Sequence, residues 1–142
     1  MQVMLKNNIT VSSQLTSLSE VRMFVADYLS EQHVTENDAN MIVLSVDEIC
    51  ANLILHAGNN GIEDEITIEL NKINDTIKVT ILDHCLSFNP TQSKNNTVEY
   101  LVKEKKKGGI GLLLVNKIMD KIEYKIESNY NICNLYKFVT TV

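Results

Sequence analysis

Very little in this chain interrupts it. There is one proline, Pro90, in 142 residues, with no proline-rich or serine-rich linker, no internal repeat and no low-complexity segment, so nothing marks a boundary between folding units. A chain of this length can bury one real core, and residues 1–142 are expected to form a single domain. Cysteine is scarce and odd in number: Cys50, Cys85 and Cys133 are widely separated and have no histidine at zinc spacing. That excludes a disulfide framework and points to reduced, structural thiols. No continuous apolar run approaches the length of a bilayer, and Met1 to Val11 lacks a charged region followed by an apolar stretch. A cytoplasmic protein with no membrane partner is therefore expected. Positive charge is not in excess either: 13 Lys and Arg stand against 18 Asp and Glu, a net charge of -5, so no global basic field draws the chain to nucleic acid.

What is present is a clear change of period along the chain. Ile9 and Val11 suggest a short first strand, and Ser17-Leu18-Ser19-Glu20 reads as a capping box. In the helix that follows, Val21, Phe24, Val25, Tyr28 and Leu29 recur at the spacing of one face. Thr35-Glu36-Asn37-Asp38 starts a second helix whose stripe runs through Ala39, Ile42, Val43, Val46, Ile49, Cys50, Leu53 and Ala57 and stops at Gly58-Asn59. The period then drops to two: Ile66, Ile68 and Leu70, and after Asn74-Asp75, Ile77, Val79 and Ile81. A polar loop, with a short helix near Val98 to Val102, separates Asp83 from Gly108. A helix over Ile110 to Met119 is expected next, then a strand carrying Ile122, Tyr124 and Ile126, a turn at Asn129 to Asn131, and a last strand near Leu135 to Val139. The order β-α-α-β-β-α-β-β implies an α+β two-layer sandwich, with helices on one face of a mixed, mainly antiparallel sheet.

Two motifs about fifty residues apart carry the chemistry. On the second helix Glu48 and Asn52 are four apart and share a side, with His56 a further turn along. This pattern fits the solvated edge of an amphipathic helix. It also fits a base beside a hard oxygen ligand for magnesium, provided phosphates enter. Gly108, Gly109 and Gly111 precede or open a helix, where bare backbone and N–H groups can approach phosphate. Asp83 ends a strand ahead of Phe88-Asn89-Pro90; it is either a turn residue or an acceptor for the amino group of a base. The run Lys105-Lys106-Lys107 is either solvated or supplies a charge to a terminal phosphate.

In order and spacing, these residues resemble the anti-sigma-factor serine/threonine kinases of the GHKL ATPase superfamily, over nearly the whole chain. Glu48, Asn52 and His56-Ala57 match the N-box, Asp83 through Phe88-Asn89-Pro90 the first glycine box, and Gly108-Gly109-Ile110-Gly111-Leu112 the second, with Val115, Met119-Asp120 and Tyr124 continuing the pattern. The resemblance implies a Bergerat ATP-binding fold with ATP and Mg2+ as cofactors. Glu48 would be the general base, Asn52 the magnesium ligand and Asp83 the adenine acceptor. Cys85, Phe88, Lys105, Lys107, Gly108, Gly109, Gly111 and Leu112 would complete the nucleotide site. It further implies a STAS-domain anti-anti-sigma protein as phosphoacceptor, a sigma factor as second partner, and a homodimer as one state open to the chain. A detached histidine-kinase catalytic domain is disfavoured, because the lysine those kinases commonly place after the N-box asparagine is absent here, where Leu53 follows Asn52. The alternative is a GHKL-fold regulator that binds partners without turnover. It draws on Cys85 and Ser87, which stand where the family's first glycine box usually has glycine and then glycine or proline. Replacing Cys85 by glycine is expected to tighten nucleotide binding in a calorimetric titration, and unchanged affinity would show that the loop accommodates the thiol.

Overall fold

The computed structural model describes residues 7–59, 61, 63–84 and 109–142. The expected loop between Asp83 and Gly108, its short helix, and Cys85, Phe88, Lys105, Lys107 and Gly108 lie outside the described residues. In chain order the elements are β1 (Asn8–Ser12), a short 3-10 turn (Leu15–Ser17), α1 (Leu18–Glu31), α2 (Glu36–Asn59), β2 (Glu65–Ile73), β3 (Thr76–Asp83), α3 (Gly109–Ile118), β4 (Lys121–Glu127) and β5 (Tyr130–Phe138). The five strands form one sheet in the order β1-β2-β3-β5-β4. All four pairings among the described strands are antiparallel, so the sheet is antiparallel where a mixed one had been allowed for.

Strand alternation puts one face of this sheet against the helices. Ile66, Ile68 and Leu70 of β2, Ile77, Val79 and Ile81 of β3, and Cys133 and Leu135 of β5 are buried there. They meet Val21, Val25 and Leu29 of α1, Ile42, Val46, Ile49, Cys50 and Leu53 of α2, and Leu112 and Val115 of α3 in one core. The middle position belongs to α2, which packs on α1 at one side and α3 at the other. The opposite sheet face is mostly polar, with Ile73 and Phe138 exposed at one end. There Thr80 donates from Oγ1 to Oδ1 of Asn134 at 2.7 Å, both side chains buried, and Tyr136 donates to Glu123 at 2.7 Å. That acceptor and the burial of the ring push the Tyr136 phenol up to about 12, burial being the larger cause.

Three details depart from the sequence expectation. Ser17 does not cap α1: its backbone is already helical at φ -78° and its side chain makes no capping bond. A cap must stand outside the helix with extended backbone, and here the 3-10 turn runs straight into α1, leaving Ser17 Oγ to meet Ser12 Oγ at 3.2 Å. The last turn is also one residue earlier than expected. Glu127 pairs with Tyr130 around Ser128-Asn129, with Ser128 at φ 54°, and Asn131 is a strand residue opposite Asp83. Nothing in the side chain of serine advertises a left-handed backbone, whereas Asn74, at φ 55° in the β2–β3 turn, is a residue type that tolerates it. Finally, α2 is long and apolar enough to cross a membrane by length and composition, with mean hydropathy 1.5 over an 18-residue window within Glu36–Gly58. Asp47, Glu48, Asn52 and His56 interrupt its apolar residues, so no continuous run showed in the sequence. Half of that window is buried inside the fold, as the core helix of a two-layer sandwich should be.

Leu70 is fully buried at the centre of β2. Truncation to alanine there is expected to cost about 2–5 kcal/mol, read from urea denaturation midpoints; a cost under about 1 kcal/mol would mean that the core closes around the gap.

Candidate functional site

The site grows from the flank of α2 that faces α3. Glu48 and Asn52 stand there a turn apart, and α3 covers them in part. Asn52 is only 7% exposed, and its Nδ2 donates to the backbone carbonyl of Glu48 at 2.7 Å. A carbonyl can only accept, so this bond assigns the amide nitrogen and turns Oδ1 away from the helix backbone. The atom presented is the hard oxygen that a magnesium ion prefers.

Glu48 is held from the other side. Gly111, in the first turn of α3, lies so close that a Cβ built on it would fall on the Glu48 carboxylate, 2.6 Å from Cδ and 3.3 Å from Cγ. The glycine motif and the helix motif, about fifty residues apart in sequence, are thus in contact through the absence of one side chain. Partial burial raises the Glu48 carboxyl above the ordinary carboxylate value, and the neighbouring charge of Asp47 adds to it. Asp47 itself receives Arg22 of α1 at 2.6 Å, which ties α1 to the same stretch of α2.

Asp83 closes β3 on the helix-facing side of the sheet and is 3% exposed. Asn131, its register partner on β5, donates Nδ2 to Asp83 Oδ1 at 2.9 Å. Sequence reasoning placed Asn131 in a turn and missed this role; only the β3–β5 register reveals it. The same carboxylate acts on two buried free thiols beneath it. Burial first, and Asp83 among the nearby charges, push Cys133 up to about 12 and Cys50 higher still, so both remain protonated.

Of the other expected site residues, Gly109 begins α3 and Leu112 is packed in the core. His56 sits in the last turn of α2, where the carbonyl end of a helix suits an imidazole. Among the described residues no three of His, Cys, Asp and Glu gather to hold a metal. A magnesium ion here would rely on Asn52 Oδ1 and on the oxygens of a nucleotide and water, which is the ion's usual habit. The donor set therefore fits a magnesium nucleotide: one outward amide oxygen, one carboxylate of raised basicity, the bare first turn of a helix, and a buried carboxylate at a sheet edge.

This geometry is set in a two-layer α+β domain, and the chain belongs to the family of the histidine kinase-like ATPase domain, whose model matches residues 11–137. Within it, the chain is similar to the serine-protein kinases RsbW. It is 27% identical to that of Bacillus velezensis over 113 residues, covering 77% of this chain and 69% of the relative. The identity to RsbW of Bacillus subtilis is 23% over 137 residues, 90% and 86% of the two chains. A chain in the crystal structure of the SiaB-SiaC complex from Pseudomonas aeruginosa shares the fold, with TM-score 0.62 at 14% identity over 93% of this chain and 88% of that one.

Gly111→Ala is expected to turn the Glu48 carboxylate out toward water. Its pKa, followed by carbon-detected NMR titration, should then fall toward the ordinary glutamate value. Unfolding free energy should stay within about 1 kcal/mol of the parent, since alanine favours the helix that glycine weakens. A carboxyl pKa left where it was would show that Gly111 does not hold Glu48 in place.

Proposed function

We propose that this chain is an anti-sigma-type protein serine/threonine kinase that binds ATP with magnesium and phosphorylates a STAS-domain anti-anti-sigma partner, thereby controlling whether a sigma factor is sequestered. The observation that carries the reading is the contact between Glu48 and the first turn of α3. It brings a carboxylate of raised basicity to the place where a glycine motif opens a helix. Similarity to the serine-protein kinases RsbW supports transfer to a protein hydroxyl, and the STAS-type partner is what the resemblance to anti-sigma-factor kinases implies. The negative net charge of the chain and the absence of an excess of basic residues agree with protein partners rather than nucleic acid. A cytoplasmic location and a homodimer belong to the same reading.

Bound ATP with magnesium would supply the phosphoryl group and the charge neutralisation around it; catalysis of such transfers is chiefly positioning. The protein's part follows from its own groups. Asn52 Oδ1 would hold the metal, and the backbone N–H groups opening α3 would face phosphate oxygens at the positive end of that helix. Asp83, kept in place by Asn131, would accept the amino group of adenine. Glu48 would receive the proton of the partner's hydroxyl as it attacks, a task to which its raised pKa is suited because a stronger base accepts more readily near neutral pH. Transfer to water would be the corresponding hydrolase reaction, separated from the kinase by analysis of products. Cys85 and Ser87 at glycine-box positions favour a second reading, a partner-binding regulator of the same fold that transfers nothing.

The deciding experiment is transfer of labelled phosphate to a STAS-domain protein alongside calorimetric titration with a non-hydrolysable ATP analogue. Glu48→Gln is expected to lower transfer at least about a thousandfold while analogue affinity stays within about threefold, because the base acts on the nucleophile. Equal losses of both would remove Glu48 from that role. Activity of the parent should fall as pH drops through the raised Glu48 pKa, since protonation removes the base. Asp47→Asn, by deleting a neighbouring negative charge, should move that acid limb to lower pH. Analogue binding with no transfer to any partner would support the non-catalytic regulator.

A further inference from the structure

Asp64 stands in the connection between α2 and β2, outside every motif read from the sequence, yet it gathers three strand ends. Its backbone carbonyl accepts the N–H of Ser13, just beyond β1, at 2.9 Å. Its side chain, 5% exposed, accepts the N–H of Glu65 at the start of β2 on Oδ1 at 2.7 Å and the N–H of His84 on Oδ2 at 2.9 Å. Oδ1 also meets Nδ1 of the His84 ring at 2.8 Å. The ring in turn lies 4.4 Å from that of Tyr130, which opens β5.

The position of these bonds matters more than their number. The β2–β3 ladder ends at Thr67 and Leu82, whereas β3 continues beside β5 as far as Asp83 and Asn131. Past Leu82 the backbone of β3 has therefore lost its partner strand on the β2 side. The Asp64 carboxylate takes the ladder's place there, catching the first amide after Asp83. A buried carboxylate bridging two backbone amides makes charge-assisted bonds, stronger than those between neutral groups.

We propose that Asp64 is a positioning residue for adenine recognition. It fixes the His84 backbone from the β2 side, as Asn131 fixes the Asp83 side chain from β5, so that Asp83 presents its carboxylate at the height an adenine amino group requires. The inference rests on the reading of Asp83 as the adenine acceptor. Asparagine at position 64 offers one acceptor oxygen where the carboxylate uses two, so either the His84 or the Glu65 amide would face an NH2 group.

The test compares two ligands with no partner present: ATP, and purine riboside triphosphate, which differs only in lacking the 6-amino group. In Asp64→Asn, ATP affinity should fall about tenfold while affinity for the purine compound is unchanged. Equal falls for both ligands would make Asp64 merely structural and overturn the proposal. The unchanged protein provides the second measurement, which stands even if the variant does not fold. Coupling is reciprocal, so an amino group that benefits from the Asp64–His84 bond must also protect it. At equal occupancy, hydrogen exchange of the His84 amide should be slower with ATP than with the purine compound; equal protection overturns the inference. If the unchanged protein binds both ligands equally, the role given to Asp83 falls and the inference with it. If it binds neither, the nucleotide reading as a whole falls, a result distinct from a preserved ATP preference with no effect at position 64.

Discussion

The burial of α2 against the sheet is the constraint to which the other parts answer. A helix of this length, flanked on both sides by other helices, has one face committed to the sheet and two flanks committed to neighbours, leaving a narrow strip for anything polar. Ile42, Val46, Ile49, Cys50 and Leu53 set the rotation of the helix about its axis. That rotation fixes Glu48 and Asn52 at the flank toward α3 without any interaction of their own being needed. Moving the stripe by one residue would turn Glu48 and Asn52 by about 100° and take them out from under α3.

α3 completes what α2 begins. Leu112 and Val115 anchor α3 in the common core, and Gly111, a step around the same face, permits its first turn to come down onto Glu48. Hydrophobic packing supplies the approach and the missing side chain decides how near it can be. In this way a core interaction, indifferent to chemistry, brings a helix terminus to a carboxylate. The Arg22–Asp47 pair on the far side of α2 is exposed enough that its worth lies less in stability than in the charge it leaves beside Glu48.

The architecture was legible because most of it is written in period. Alternating isoleucines, valines and leucines in β2 and β3, and the long stripe of α2, left little choice of element or of face. The core helix, the hairpin, the order of the elements and the expectation of two layers all followed from them. What could not be read was anything depending on how distant strands are aligned. Asn131 looks like a turn residue until β5 is laid against β3, and Asp64 looks like any polar loop residue until the end of the β2–β3 ladder is known. Sequence periodicity likewise does not distinguish Ser17 as a cap from Ser17 as a helical residue, because the difference lies in the backbone of the turn before it. Glu48, Asn52 and Gly111 were found through motif spacing, but their contact was not; a bare glycine becomes informative only when the group filling its space is seen.

The two thiols under Asp83 give this protein a property unrelated to its chemistry. Cys50 and Cys133 are buried and held in the protonated form, which neither alkylates nor oxidises readily. The folded chain therefore carries a built-in spectroscopic address. Under native conditions a fluorescent maleimide or a nitroxide reagent is steered away from both, so that of the three cysteines in the sequence Cys85 alone is left for it to modify, with no cysteine engineered or removed.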